Sequence, residues 1–385
     1  MRHAERRRVL VRTFPPSSNP NYGGILQAWA LQQVLGRMGI DSAVDKTRPE
    51  RWRSGREIVS HRAKLCVLNA IPTRLLPSSV GGWATRASAN KSILRFASRH
   101  ITEVSLFSSA ERVDQRIMDS FDGYIAGSDQ VWRPDYVDIG KYLFDFLPES
   151  FDGPRVAYAA SFGSDSPVFT EDLRAQTTDL ARRLTAVSVR EESGVQLCRD
   201  LWGVQAVRLV DPTMLLEPAD YVALAAPAPG LSNLRNARYV LDEDDDKGRV
   251  VAALEARLGS EFTDTYLPLP SSYADYRRSR RAYDRLTVPE WIRTLATAPF
   301  VVTDSFHGTV FSILFERPFA TLPNRSRGNA RLESLLELFG LTGRLVSSPD
   351  EAVALVDQPI DWVAVRATLE SERQKALQFL REALA

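Results

Sequence analysis

The sequence predicts an α/β protein of two halves, each a parallel sheet with helices on both faces. Three observations carry this expectation. Short β-branched and aromatic runs alternate with apolar-faced helical stretches, most of these runs stop in small polar residues, and the 385 residues suffice for two domains of ordinary size. Sheets of this kind bind ligands beyond the carboxyl ends of their strands, so the residues just after each strand are the candidates for function.

Residues 9–14 read as the first strand, 15–24 as a polar loop, and 25–38 as a helix with Leu31, Val34, Leu35 and Met38 at helical spacing. Asn21, Tyr22, Gly23 and Gly24 precede that helix, where backbone N–H groups meet a sugar or a diphosphate, or simply make a tight turn. Residues 124–126 end in Gly127-Ser128-Asp129-Gln130, and 155–159 end in Ser161-Phe162-Gly163. Asp129 and Gln130 are candidates to hydrogen-bond sugar hydroxyls, with Asp129 as a base or else a helix cap, and Trp132 is a sugar platform or a core residue. Residues 187–189 lead straight into Arg190, whose guanidinium fork suits carboxylate or phosphate and competes for Glu191 or Glu192. Further strands are expected at 206–210, 239–241, 300–302 and 319–322. Asp211-Pro212 reads as a strand terminus, and the acidic run 242–246 as a solvated loop rather than a metal site.

The most informative stretch is 300–312, where a short strand feeds a helix that stops at Pro318 and presents His307 in its first turn, with Asp304 or Ser305 as the cap. His307 is the only histidine after position 100. A helix start favours anions and an imidazole exchanges protons near neutral pH, so anion binding and acid-base chemistry would share one site. Arg325 and Arg327 follow in an Asn-Arg-Ser-Arg-Gly-Asn loop beginning at Asn324, where small neighbours allow a ligand to approach.

Composition narrows the class. The chain is 44% hydrophobic and 25% charged with a net charge of +1, ordinary for a globular protein and no indication of a nucleic-acid partner. Cys66 and Cys198 form neither a disulfide framework nor a metal pair, which fits a reducing cytoplasm, and the apolar run after the basic N-terminus is too short for a signal peptide or membrane span. The charge is uneven: residues 46–99 hold twelve Lys/Arg against two acids, a local +10 interleaved with Trp52, Leu75, Leu76, Trp83 and Ile93. Such a helical insertion is either a solvated face or a surface for polyanions, including the anionic inner face of the plasma membrane. The expected organisation is a first domain over 1–185 with a basic insertion at 46–100, a second over 186–365, and a terminal helix over 366–385.

Asn21-Tyr22-Gly23-Gly24, Gly127-Ser128-Asp129-Gln130-Val131-Trp132, Ser188-Val189-Arg190-Glu191, Asp211-Pro212-Thr213, Asp304-Ser305-Phe306-His307-Gly308-Thr309 and Asn324-Arg325 through Arg331-Leu332-Glu333, in this order, resemble the successive motifs of the polysaccharide pyruvyl transferase family. The resemblance runs from about residue 9 to about residue 345. It implies a GT-B-like fold of two facing Rossmann-like domains, phosphoenolpyruvate as donor with no other cofactor or metal, and a sugar or lipid-linked oligosaccharide diol as acceptor, giving a pyruvate ketal and phosphate. Carried onto this chain, it makes His307 and Asp129 the acid-base pair. Arg190, Ser305, Phe306, Gly308, Thr309, Asn324, Arg325 and Arg327 become donor contacts, and Asn21, Tyr22, Gly23, Gly24, Gln130 and Trp132 acceptor contacts. Ser305 stands where the better-known branch has an arginine, so its guanidinium must come from elsewhere, most simply Arg325 or Arg327. A nucleotide-sugar glycosyltransferase and a non-catalytic glycan-binding protein are the alternatives of the same shape.

Overall fold

The computed structural model describes residues 6–15, 21–47, 55–73, 82–109, 112–225, 235–324 and 326–385, with only the backbone of 55–62. Its strands are β1 Arg8–Arg12, β2 Asp41–Asp45, β3 Glu103–Val104, β4 Gly123–Ala126, β5 Arg155–Ala160, β6 Ala186–Val189, β7 Val207–Arg208, β8 Asn236–Tyr239, β9 Phe262–Asp264, β10 Val301–Thr303 and β11 Phe319–Thr321. Among the described residues they form two parallel sheets, ordered β3-β2-β1-β4-β5-β6-β7 and β11-β10-β8-β9. In each sheet the order reverses once, between β1 and β4 and between β8 and β10, and the loops leaving such neighbours diverge to open a crevice. The segments leaving these strands carry Asn21, Asp129, Gln130, Asp304 and Ser305 and lead into His307, which places these candidates by topology alone, while Arg190 follows β6 and Asn324 follows β11.

The expected boundary at residue 185 falls inside the first sheet. Strand β6 pairs with β5, where the Ser188 hydroxyl accepts from Ala159 N–H and donates to Ala157 carbonyl across a register shift, and β7 extends the same sheet. Arg190 and Asp211 therefore belong to the first half. The terminal helix starts earlier than expected, at Trp362, and returns to the first half, where Arg373 donates to the carbonyls of Met214 and Leu216.

One buried core runs through both halves. The helix Tyr22–Arg37, the helix Phe306–Leu314 and the helix Val288–Thr297 share it, and Tyr22 lies flat on Trp291 with ring centroids 4.9 Å apart. The basic insertion forms the helices Gly55–Ala70, Gly82–Ala89 and Lys91–His100, and several of its apolar residues turn inward, although Val67 is 61% exposed. Ile93 is buried in the shared core, while Leu65, Leu68 and Trp83 pack on a satellite cluster with Tyr273 and Tyr276 of the second half. Among the described side chains of the insertion, Lys64, Arg86, Lys91, Arg95 and Arg99 are exposed, with Val67 the one large apolar side chain exposed beside them. Trp52, Leu75 and Leu76 lie outside the described residues. Among the described residues no helix is long and apolar enough to cross a membrane.

Candidate active site

Two helix starts meet across the crevice. After β1, Asn21 caps the helix Tyr22–Arg37 by accepting the Gly24 N–H at 2.6 Å. After β10, Ser305 caps the helix Phe306–Leu314 by accepting the Gly308 N–H at 3.4 Å, so the cap is Ser305 and not Asp304. Gly23 and His307 touch so closely that a Cβ on Gly23 would stand 2.0 Å from Nδ1 of the imidazole. Only glycine permits that approach.

Behind His307 lies a buried ionic cluster. The Asp211 carboxylate accepts from Ser128 Oγ at 2.7 Å, Arg190 Nη1 at 3.0 Å and Thr213 Oγ1 at 2.7 Å, and His307 Nε2 stands 3.6 Å from its Oδ2. That last separation is too long for a hydrogen bond, and His307 Nε2 is buried with no hydrogen-bond partner. Burial alone would push the Asp211 carboxyl up, but His307, Arg190 and Thr213 together hold it well below the usual carboxylate range. Asp211 is thus a fixed negative charge facing the imidazole, not merely a strand terminus.

Two guanidinium groups approach the Phe306 ring. Arg190 lies 4.3 Å from its centroid and Arg331, on the helix Ala330–Leu338, 6.0 Å. Arg190 keeps Nε and Nη2 without hydrogen-bond partners, although Nη2 stands 3.8 Å from Asp129. Arg331 is 7% exposed, donates from Nη2 to the Arg327 carbonyl at 2.9 Å, and has no partner for Nε. Burial, with repulsion from Arg190, pushes it down to about 10. A buried guanidinium without a carboxylate is costly, and a bound anion is the usual compensation.

The loop after β11 is braced from beneath. The Asp304 carboxylate accepts from Leu241 N–H at 2.6 Å, Lys247 Nζ at 2.9 Å and Asn324 Nδ2 at 2.8 Å, joining three strand ends. Arg327 forks onto Asp242 at 2.6 and 3.3 Å. Most of the remaining acidic run is occupied as well: Glu243 pairs with Arg238, Asp244 caps Lys247 N–H, and Asp246 pairs with Arg249. Among the described residues no group of three His, Cys, Asp or Glu is placed to hold a metal ion.

Several expectations change. Trp132 is fully buried against Phe162 and Trp202, at 5.3 and 5.1 Å, so its faces serve the core and none is left for a sugar. Thr309 lies behind the site, its hydroxyl bonded to the Ser305 carbonyl and Thr321, and Gly308 is small because a Cβ would meet Thr303 Oγ1 at 2.1 Å. Neither reaches the crevice. Tyr22 joins the halves, donating to the Leu286 carbonyl, and the Gly24 N–H is consumed by Asn21. Asn324 acts as a brace and Arg327 is already paired, whereas Arg325 lies outside the described residues. Asp129 does line the crevice, held at φ 97°, a left-handed conformation costly for a non-glycine residue and typical of functional sites. Gln130 lines it as well, while accepting from Arg133 at 3.0 Å. Asp211 and Arg331 were not singled out as site residues from sequence; their only signal was their place inside the quoted motifs.

The crevice measures about 910 Å³ and reaches from Asn21, Gly23, Asp129 and Gln130 on one wall to Ser305, Phe306, His307 and Arg331 on the other. Its far end lies under the basic insertion.

A model of the polysaccharide pyruvyl transferase family matches residues 21–326. No curated protein matches the chain. Among solved structures, a UDP-GlcNAc 2-epimerase from Methanocaldococcus jannaschii aligns with a TM-score of 0.51 at 9% identity, covering 98% of this chain and 99% of that one. The UDP-GlcNAc 2-epimerase from Neisseria meningitidis bound to UDP-GlcNAc gives 0.47 at 13%, over 98% and 99%. A spinosyn rhamnosyltransferase gives 0.44 at 14%, again over 98% and 99%. At these identities the first shares the fold alone, the two-domain GT-B architecture.

Proposed function

Because the chain belongs to the polysaccharide pyruvyl transferase family, we propose that it transfers the enolpyruvyl group of phosphoenolpyruvate to a diol of a cell-surface glycan or its lipid-linked precursor, forming a pyruvate ketal and releasing phosphate. One observation carries this reading: two incompletely partnered buried guanidiniums lie against the Phe306 ring, beside the His307 imidazole in the same crevice. Phosphoenolpyruvate needs that combination, a cradle for carboxylate and phosphate next to a proton donor. Arg331 supplies the guanidinium that position 305 lacks, in place of the paired Arg327.

In this reading Arg190 and Arg331 hold the donor, and His307 delivers a proton to its methylene carbon, making C2 an oxocarbenium. The Asp211 carboxylate, 3.6 Å from Nε2, stabilises the imidazolium before transfer. One acceptor hydroxyl adds to C2 and gives up its proton to Asp129 or back to His307. The C2–O bond to phosphate then breaks, and the second hydroxyl closes the ring, its proton leaving with the phosphate. The carbon gains one proton and the two hydroxyls lose two, so the balance closes without a redox partner. Release of inorganic phosphate from phosphoenolpyruvate, measured over a panel of glycan acceptors together with an acceptor mass gain of one pyruvate less one water, tests this. Binding of a nucleotide sugar but not of phosphoenolpyruvate would replace it with glycosyl transfer.

A further inference from the structure

The donor site uses one end of the crevice, and the other end holds a second cation that this chemistry does not employ. Arg285 precedes the helix Val288–Thr297 and is 6% exposed. Its guanidinium lies 3.6 Å from the centroid of Tyr266, one amine donates to the Leu267 carbonyl at 2.5 Å, and Nε is buried with no hydrogen-bond partner. No carboxylate pairs with it among the described residues. Across the same crevice stands Arg86, exposed on the insertion helix Gly82–Ala89, and the two segments are tied by Arg285 N–H donating to the Ala89 carbonyl at 3.1 Å.

The path between the two ends is aromatic. Tyr239 packs near Gly308, where an added Cβ would stand 3.0 Å from its ring, and Tyr266 follows with its centroid 6.1 Å from that of Tyr239. Both rings line the crevice, which at about 910 Å³ is far larger than phosphoenolpyruvate requires. The order along the wall is therefore imidazole, two tyrosine rings, then an unpaired arginine lying over the second. Sugar rings stack on tyrosine faces, and phosphate esters seek guanidinium.

We propose that Arg285 and Arg86 form a second anion subsite, which binds the phosphate or diphosphate ester of the acceptor while its sugar lies along Tyr266 and past the edge of Tyr239 toward His307. The substrate class is then a glycosyl phosphate or diphosphate rather than a neutral finished polysaccharide. This rests on the ketal-transfer reading for the identity of the acceptor, but the subsite itself is testable apart from it.

The probe is inorganic pyrophosphate, titrated calorimetrically into the full-length protein saturated with phosphoenolpyruvate. Binding should persist, weaken about ten- to a hundredfold in Arg285→Gln, as expected for loss of a charged hydrogen bond, and weaken a few fold with a shallower salt dependence in Arg86→Ser. Phosphoenolpyruvate affinity should be unchanged in both variants. In Arg331→Gln the pattern should reverse. One-for-one displacement of pyrophosphate by phosphoenolpyruvate, or unchanged pyrophosphate affinity in both Arg285→Gln and Arg86→Ser, overturns the proposal. If circular dichroism shows Arg285→Gln unfolded, Arg86→Ser and Arg285→Lys decide instead: an intact pyrophosphate site in Arg86→Ser overturns it, and weakening in Arg86→Ser with partial retention in Arg285→Lys supports it. If wild type binds pyrophosphate through Arg285 but never binds phosphoenolpyruvate, the donor reading fails and the subsite stands. Farnesyl diphosphate binding more tightly than UDP identifies a lipid-linked source, and the reverse order a nucleotide-linked one; either supports the subsite.

Discussion

Replacing Arg331 with methionine should make the ligand-free protein more stable while destroying its donor site. The guanidinium is 7% exposed, and burial with repulsion from Arg190 pushes it down to about 10, against more than 12 for a free guanidinium. At 1.36 kcal/mol per pKa unit the gap amounts to about 3 kcal/mol held against folding at neutral pH. The sign follows from the charged form being the disfavoured one: the penalty is present throughout the neutral range and fades only as pH rises through about 10. Methionine fills much of the same volume without the charge. It loses one hydrogen bond, to the Arg327 carbonyl, worth about 1 kcal/mol, so a net gain of about 1–2 kcal/mol remains. Urea denaturation at pH 7 should show it, and the upward thermal shift expected for wild type with phosphoenolpyruvate should be absent from the variant. An Arg331→Met protein that is less stable and still stabilised by phosphoenolpyruvate would refute the claim that this arginine is strained for the sake of an anion.

Four further outcomes follow from the same geometry. His307→Gln should fold normally and slow ketal formation by about two to four powers of ten, the usual contribution of a positioned acid-base group; near-wild-type turnover would remove His307 from the chemistry. Asp211→Asn leaves the buried Arg190 charge with only the more distant Asp129, 3.8 Å away, and should cost up to about 3–5 kcal/mol of stability at pH 7 by urea titration. Since the native carboxyl is held below its ordinary range, its contribution is present above about pH 4 and is lost as pH falls further, so the variant should show a smaller loss on the acid side. Gly23→Ala places a methyl 2.0 Å from Nδ1 and should lower kcat at least about tenfold with little change in phosphoenolpyruvate affinity, because Arg190 and Arg331 stay in place. Activity should survive EDTA, as these side chains neutralise the donor; full loss restored by magnesium would show a metal in that role.

What could be read from sequence was local. The strand, cap and lone histidine of 300–312 are neighbours in the chain, so the turn that presents His307 was visible, as was the Asn21 cap. Sheet membership is a long-range property, and nothing near residue 185 indicates that Ala186–Val189 will pair with β5. Strand β8 lies earlier than expected because Asn236–Tyr239 lacks β-branched residues, while Val240 and Leu241 just beyond it carry the apolar signal. Trp132 misled because an aromatic beside polar residues looks the same whether it faces a cleft or the Trp202 ring. Arg331 sits on an amphipathic helix where arginine is commonplace, and only the packing of Phe306 reveals that it is buried.

The distribution of packing explains how such a site can be both rigid and accessible. On the floor, Tyr22 stacks on Trp291, Trp29 meets Tyr221, and Tyr221 meets Phe311, all inside one core shared by the two halves. Separating Gly23 from His307 would expose those rings, and each fully buried apolar side chain contributes about 1.5–3 kcal/mol. At the roof the halves meet through a small satellite cluster around Tyr273 and Tyr276 and a few hydrogen bonds, such as Ser92 to the Arg285 carbonyl at 3.0 Å. The weaker contact therefore lies on the side away from His307. The ketal formation proposed above makes the same division of demands, since in that reading a proton must reach one carbon from a fixed imidazole while a far larger acceptor has to enter and leave. The contact between Gly23 and His307 is held by the deep core, and the end toward Arg285 and Arg86 is bordered by the smaller satellite cluster, with Ile93 and Phe96 tying the insertion to the shared core.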